Sequence, residues 1–171
     1  VLDQTLPTAI CKNISVNLNA AGTASITAAD INDNSTDNCG IASLVASKTS
    51  FNCANLGANS VTLTVTDTSG NVSSCIATVT VIDNTPPVAT CKNFTLVLAA
   101  NGTGTLLSAN INNGSTDNCG ITTMTLSKTN FTCTDANGTP QSVTLTVTDA
   151  SGNSSSCTAT LTVESSLEIT S

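Results

Sequence analysis

The sequence predicts an all-β chain of two tandem, disulfide-stapled antiparallel sandwiches, and three observations carry that prediction. The hexapeptide Thr36-Asp37-Asn38-Cys39-Gly40-Ile41 returns unchanged as Thr116-Asp117-Asn118-Cys119-Gly120-Ile121, which marks a tandem repeat of about 80 residues. Short runs alternate apolar and polar residues between turn signals, and no segment has a helical period. Eight cysteines form two matched sets, Cys11, Cys39, Cys53 and Cys75 answering Cys91, Cys119, Cys133 and Cys157. Units this small sit near the lower size limit for a self-sufficient core, so they call for covalent staples.

Along the chain, Val1-Leu2-Asp3-Gln4-Thr5-Leu6-Pro7 aligns with Val81-Ile82-Asp83-Asn84-Thr85-Pro86-Pro87. Residues 1–4 therefore read as the end of a preceding linker. Residues 5–84 and 85–166 read as the two repeats and 167–171 as a C-terminal tail. Within a repeat, Ile14, Val16 and Leu18 alternate with polar residues as a first strand, matched by Phe94, Leu96 and Leu98. Ala21-Gly22 and Asn101-Gly102 are turns. A second strand carries Ala24, Ile26 and Ala28, and a polar loop runs from Asp30 to Gly40. A third strand starts at Ile41 or Ile121, and Ser47-Lys48-Thr49 turns the chain toward Phe51 and Cys53. The link after it is longer in the second repeat, which places it on the surface. The last hairpin pairs Val61–Thr66 with Cys75–Val81 around Asp67-Thr68-Ser69-Gly70-Asn71; its inward face is Val61, Leu63, Val65, Ala77, Val79 and Val81. Short strands and frequent turns of this kind make an immunoglobulin-like sandwich, repeated twice.

Composition narrows function. With 4 Lys+Arg against 11 Asp+Glu, the net charge of −7 leaves no electrostatic basis for binding nucleic acid or an anionic membrane. No apolar run reaches the roughly 20 residues of a spanning helix. Matched, even cysteines point to an oxidising, extracellular setting; a zinc site is disfavoured because the chain has no histidine and no close cysteine pair. Without histidine, a Gly-x-Ser-x-Gly motif or a phosphate loop, the usual nucleophile and base sets are missing, so the chain reads as no enzyme.

An early cysteine, Thr-Asp-Asn-Cys-Gly, and the closing run Val65-Thr66-Asp67-Thr68-Ser69-Gly70-Asn71-Val72-Ser73-Ser74-Cys75, repeated over 147–157, together resemble the hyalin repeat (HYR) family. The four-cysteine, Thr/Asn-rich form is similar to repeats of long bacterial surface adhesins exported by type IX secretion. That resemblance implies an extracellular, cell-surface module associated with adhesion. It implies Cys11 paired with Cys75 and Cys91 with Cys157, the remainder then pairing as Cys39 with Cys53 and Cys119 with Cys133. Sequence alone allows three connectivities per unit; a short hairpin from Ile41 to Phe51 is one way to bring Cys39 to Cys53.

Calcium takes several oxygen ligands from carboxylates, amides and carbonyls in flexible loops. The loop from Asp30 to Asn38 is dense in them, but Asp30 and Asp33 become Asn110 and Asn113, so only Asp37 and Asp117 keep their carboxylates. In a sandwich this loop, the final hairpin turn and the incoming linker share one end. Two calcium sites are expected there: Asp3, Asp37, Asn38 and Asp67 for the first unit, and Asp83, Asp117, Asn118 and Asp149 for the second. The competing reading is turn chemistry, since Asp and Asn bond nearby backbone groups in turns. The strand threonines, such as Thr62, Thr64 and Thr66, are compatible with an ice- or carbohydrate-facing hydroxyl ladder but are equally ordinary strand formers. Asn13, Asn93 and Asn153 head glycosylation-type triplets.

The expected function is a non-enzymatic extracellular spacer or fibre-forming repeat of a bacterial surface adhesin. Its partners would be neighbouring repeats of the same chain or other copies. A calcium-dependent module that binds a glycan or protein, and a subunit of a self-assembling filament, are the alternatives.

Overall fold

A computed structural model describes residues 3–166; the tail expected at 167–171, and residues 1–2 of the expected leading linker, lie outside that range. The chain divides into two compact units, Val1–Asn84 and Thr85–Ser171.

In the first unit, β1 (Ile14–Asn17), β6 (Val72–Ile82), β5 (Gly57–Asp67) and β3 (Ile41–Ala46) form a four-stranded sheet in the order β1-β6-β5-β3, and β2 (Thr23–Ser25) pairs with β4 (Ser50–Asn52) in a second sheet. Period-two alternation does what it predicts: Val61, Leu63, Val65, Ala77, Val79 and Val81 are all buried, and Leu18, Ile26, Ile31 and Phe51 join them in the core. The intervening threonines alternate to the half-solvated face, where β-branched side chains suit the pleat.

One pair departs from the antiparallel pattern. β1 runs parallel to β6, Ile14 opposite Val79 through Asn17 opposite Ile82. The Asn13 side chain fixes this register by accepting a hydrogen bond from the Thr78 N–H at 2.8 Å. Just ahead of it, Cys11 is bonded to Cys75, with a Cα–Cα distance of 5.8 Å.

The second strand is shorter than the sequence pattern suggests. Its expected continuation through Ala28 is instead a single helical turn, α1 (Ala28–Ile31), which delivers Ile31 fully buried into the core. The cause is a local cap: Asp30 Oδ2 accepts from the Thr27 N–H at 2.6 Å and the Thr27 hydroxyl at 2.8 Å.

The second unit repeats the plan. β7 (Phe94–Val97), β12 (Ser154–Glu164), β11 (Gln141–Asp149) and β9 (Ile121–Leu126) make the larger sheet, with β8 (Thr103–Thr105) pairing β10 (Asn130–Thr132). α2 (Ser108–Ile111) buries Ile111, and its cap is Asn110, whose Oδ1 accepts from the Leu107 N–H at 2.9 Å. A cap needs an acceptor oxygen rather than a charge, which explains why Asp30 can become Asn110. Cys91 is bonded to Cys157. The core centres on Leu98, Leu106, Phe131, Leu145 and Leu161.

Each sandwich has two poles. At one, the N pole, lie the β5–β6 turn at Asp67 and the start of β3, since Ile41 pairs with Asp67. At the other, the C pole, lie the β1–β2 turn and the exit from β6, where the Leu18 N–H donates to the Ile82 carbonyl at 2.8 Å. β5 runs from one pole to the other, and its 11 residues cover about 33 Å at ~3.3 Å per residue.

These poles overturn part of the expected disulfide pattern. Cys39 lies at the N pole, two residues before β3. Cys53 lies at the C pole, its Sγ 3.7 Å from the Gly22 carbonyl oxygen. The segment Ser47-Lys48-Thr49 is not a hairpin turn. β3 hydrogen-bonds to β5 in one sheet, the chain then crosses, and β4 bonds to β2 in the other sheet while still travelling toward the C pole. Cys39 and Cys53 thus stand on the order of 30 Å apart, whereas a disulfide needs Cα atoms within about 7 Å. The expected Cys39–Cys53 and Cys119–Cys133 bridges are not formed: Cys39 and Cys133 are exposed free thiols. Cys53 and Cys119 are each half-cystines.

Candidate metal centre

The N pole of the first unit gathers three carboxylates from three separate segments: Asp3 from the incoming chain, Asp37 from the loop before β3, and Asp67 from the end of β5. One oxygen from each lies within 4.8 Å of the others.

Turn geometry accounts for where these side chains point. Asp67 is 1% exposed. Its Oδ1 accepts from the Ser69 and Asn71 N–H groups, both at 2.8 Å, and its Oδ2 from the Asn71 amide at 2.7 Å. This is the physical content of the Asp-Thr-Ser-Gly-Asn signature: the first residue closes the turn with its own carboxylate. Burial pushes the Asp67 carboxyl upward, but the Asn71 amide and the turn N–H groups outweigh it and hold the pKa below the usual carboxylate value. The same Asn71 amide donates to the Asp3 carbonyl oxygen at 3.2 Å, tying the incoming chain to the turn.

Asp37 and Asp3 divide their oxygens differently. Asp37 Oδ2 accepts from the Cys39 N–H at 2.7 Å, while its Oδ1 is buried with no hydrogen-bond partner. Asp3 Oδ1 accepts from the Thr5 N–H at 3.0 Å, and its Oδ2 too is buried with no partner. The Thr5 N–H, and after it the Cys39 thiol, hold the Asp3 carboxyl below its ordinary pKa. Reciprocally, Asp3 pushes the Cys39 thiol up. Turn chemistry and metal ligation are therefore not exclusive at this pole, because one oxygen of Asp3 and one of Asp37 serve the local backbone while the other of each is left bare.

Of the other expected ligands, Asn38 turns its amide nitrogen to Cys39 Sγ at 3.4 Å. The lysines act elsewhere. Lys48 sits over the Phe51 ring at 5.0 Å; Lys128 sits over Phe131 at 4.6 Å and pairs with Asp135 at 2.5 Å.

The second unit builds the same arrangement from Asp117 and Asp149. Asp149 Oδ1 accepts from the Ser151 and Asn153 N–H groups at 2.9 and 2.8 Å, and Asp117 Oδ2 accepts from the Cys119 N–H at 2.8 Å, leaving Asp117 Oδ1 buried without a partner. Asp83, the repeat equivalent of Asp3, is the residue that follows β6 in the first unit. Asn13 and Asn93, heads of two glycosylation-type triplets, use their oxygens to accept from the Thr78 and Thr160 N–H groups at 2.8 and 2.9 Å. Asn153, the third, serves the Asp149 turn.

No protein-family pattern matches the chain, and no curated protein sequence does. The chain is similar to several solved structures. Protocadherin gamma C5 EC1-3 is 12% identical with a TM-score of 0.47, over 94% of this chain and 68% of that one. Drosophila N-cadherin EC1-4 is 14% identical with a TM-score of 0.44, over 94% and 50%. Extracellular domains 1-4 of protocadherin gamma B7 are 10% identical with a TM-score of 0.41, over 94% and 51%. The chain thus spans about half of the last two. None of these likenesses bears on what this chain binds.

Proposed function

We propose that the chain is a non-enzymatic extracellular repeat segment, a spacer of a surface adhesin, whose sandwiches are stiffened by calcium at the N pole. The observation that carries the cation reading is the pair of bare, buried oxygens Asp3 Oδ2 and Asp37 Oδ1 beside the Asp67 carboxylate. Buried anionic oxygens without donors are costly unless a proton or cation answers them. An all-oxygen donor set without nitrogen or sulfur ligands suits a hard cation such as calcium. The free Cys39 thiol beside the acids stays outside the donor set, since a hard cation such as calcium takes oxygen ligands rather than sulfur. By the internal repeat, Asp117, Asn118 and Asp149 take the same role in the second unit.

The spacer reading is supported by what each unit is built for. Asp30, Asn52, Asp67, Asn110 and Asp149 serve turns and caps, and each sandwich is closed by a long-range disulfide. No helix among the described residues is long and apolar enough to cross a membrane. The hyalin-repeat resemblance supplies the setting, a bacterial surface protein.

Calorimetric titration of the intact chain with calcium, and melting in calcium against chelator, test the cation. The expected result is binding heat and a higher melting temperature in calcium, both lost in an Asp37→Asn, Asp117→Asn double variant. Absence of heat together with superimposable melting curves refutes the metal reading. It leaves the spacer reading to stand or fall on whether the chain, screened against glycans in calcium, binds none.

A further inference from the structure

Two thiols remain that neither the core nor the cation reading uses. Cys39 and Cys133 are free and exposed, and they sit at complementary ends of the repeat plan. Cys39 is at the N pole of the first unit: its N–H is held by Asp37, and its carbonyl oxygen accepts from the Thr68 hydroxyl at 3.2 Å. Cys133 is at the C pole of the second, its Sγ 3.6 Å from the Gly102 carbonyl oxygen.

The fold keeps space for that C-pole sulfur. Residue 102 has φ +77°, and a Cβ added there would lie 2.6 Å from Cys133 Sγ. Gly22 holds the same position, with φ 71°, beside Cys53. Both positions in question are oxidised elsewhere in this chain: Cys53, the repeat equivalent of Cys133, and Cys119, the repeat equivalent of Cys39, are each half-cystines. The surroundings at each pole therefore accommodate a disulfide, while the distance between poles denies Cys39 and Cys133 a partner within their own units.

We propose that Cys133 of one copy forms a disulfide with Cys39 of the next, joining copies head to tail through the C pole of the second unit and the N pole of the first. Two different ends meeting in this way make a heterologous contact, which propagates as an open chain rather than closing as a dimer. This goes beyond the spacer and cation readings and does not require a bound cation.

The chemistry is thiol–disulfide exchange with a small extracellular disulfide such as oxidised glutathione. One protein thiolate attacks it, forming a mixed disulfide and releasing one small thiolate. The second protein thiolate attacks the protein sulfur of that mixed disulfide, forming the Cys133–Cys39 bond and expelling the other small thiolate. The small disulfide takes up the two electrons, and the two protein thiol protons end on the two small thiols released.

The test uses the full chain, incubated with oxidised glutathione in calcium and in chelator, then run without reductant and mapped by mass spectrometry. Wild type is expected to give a ladder of multimers. Mixed isotope-labelled and unlabelled copies should yield a Cys39–Cys133 peptide pair carrying both labels. Cys39→Ser and Cys133→Ser, each checked for wild-type melting behaviour, are expected to abolish the ladder singly, yet a mixture of the two should give a covalent heterodimer. Wild type that ends as a glutathione-capped monomer overturns the proposal, as do multimers linked through Cys39–Cys39 and Cys133–Cys133.

Discussion

Removing the Cys11–Cys75 bridge gives the sharpest test of what holds one unit together. The two cysteines are separated by 64 residues in sequence, and closing a loop of that size in the unfolded chain removes about 14 cal/mol/K, or ~4 kcal/mol at room temperature. A unit of roughly 80 residues has on the order of 4–12 kcal/mol of net stability. Its core contains one aromatic ring, Phe51. The double variant Cys11→Ala, Cys75→Ala is therefore expected to leave the first unit marginally folded, with its melting temperature lower by about 15–30 °C. The second unit, with its own Cys91–Cys157 bridge, serves as an internal control. Calorimetry should resolve a new early transition, and hydrogen exchange should show β5 and β6 losing protection while β11 and β12 keep theirs. A shift below about 5 °C, or equal loss in both units, refutes the assignment of stability to the bridge.

Three further expectations follow from single contacts. Gly102→Ala places a methyl group 2.6 Å from Cys133 Sγ at a positive φ and should cost about 1–3 kcal/mol, read by denaturant unfolding. Asp135 is held at a pKa of about 2, first by Lys128 and then by the Thr132 N–H and Gln141. A depressed carboxyl contributes stability above its unfolded value, and that contribution disappears as pH falls through the folded one. Protection of the 132–136 turn should then persist at pH 4 and fail near pH 2, with an NMR midpoint near 3.8 counting against the contact. In a Cys133→Ser background, Asp3→Asn should speed alkylation of Cys39 at pH 8 several-fold, because Asp3 pushes that thiol up; an unchanged rate removes Asp3 as the cause.

The sandwich was legible because period two is unambiguous in Val61–Thr66 and Cys75–Val81, where burial follows the alternation residue by residue. α1 was hidden because one helical turn is too short to show a period; its signal was the Thr27–Asp30 spacing of a cap, read as loop polarity. The Cys39–Cys53 expectation failed at a single step. Ser47-Lys48-Thr49 carries ordinary turn residues, and whether such a segment reverses the chain or passes it to the facing sheet depends on which strands β3 and β4 find as partners. That is decided by long-range pairing with β5 and β2, information absent from the local sequence. The gathering of Asp3, Asp37 and Asp67 was legible from topology, whereas the split of the Asp3 and Asp37 carboxylates into a bonded and a bare oxygen is set by side-chain rotation, which no residue pattern records.

The parallel pairing of β1 with β6 has a mechanical meaning when it is set beside the bridge next to it. A pull applied along the backbone enters the first unit before Cys11 and leaves after Cys75, so the shortest covalent path runs through the disulfide and bypasses residues 12–74. β1 and most of the core lie in this bypassed loop, while the β6 half of the β1–β6 ladder, Val79–Ile82, lies in the loaded run after Cys75. Only the short runs on either side of the bridge can be drawn out, at no more than about 3.6 Å per residue. A strained unit behaves as an inextensible link with a small, fixed amount of slack, and an array of such units would transmit load without lengthening.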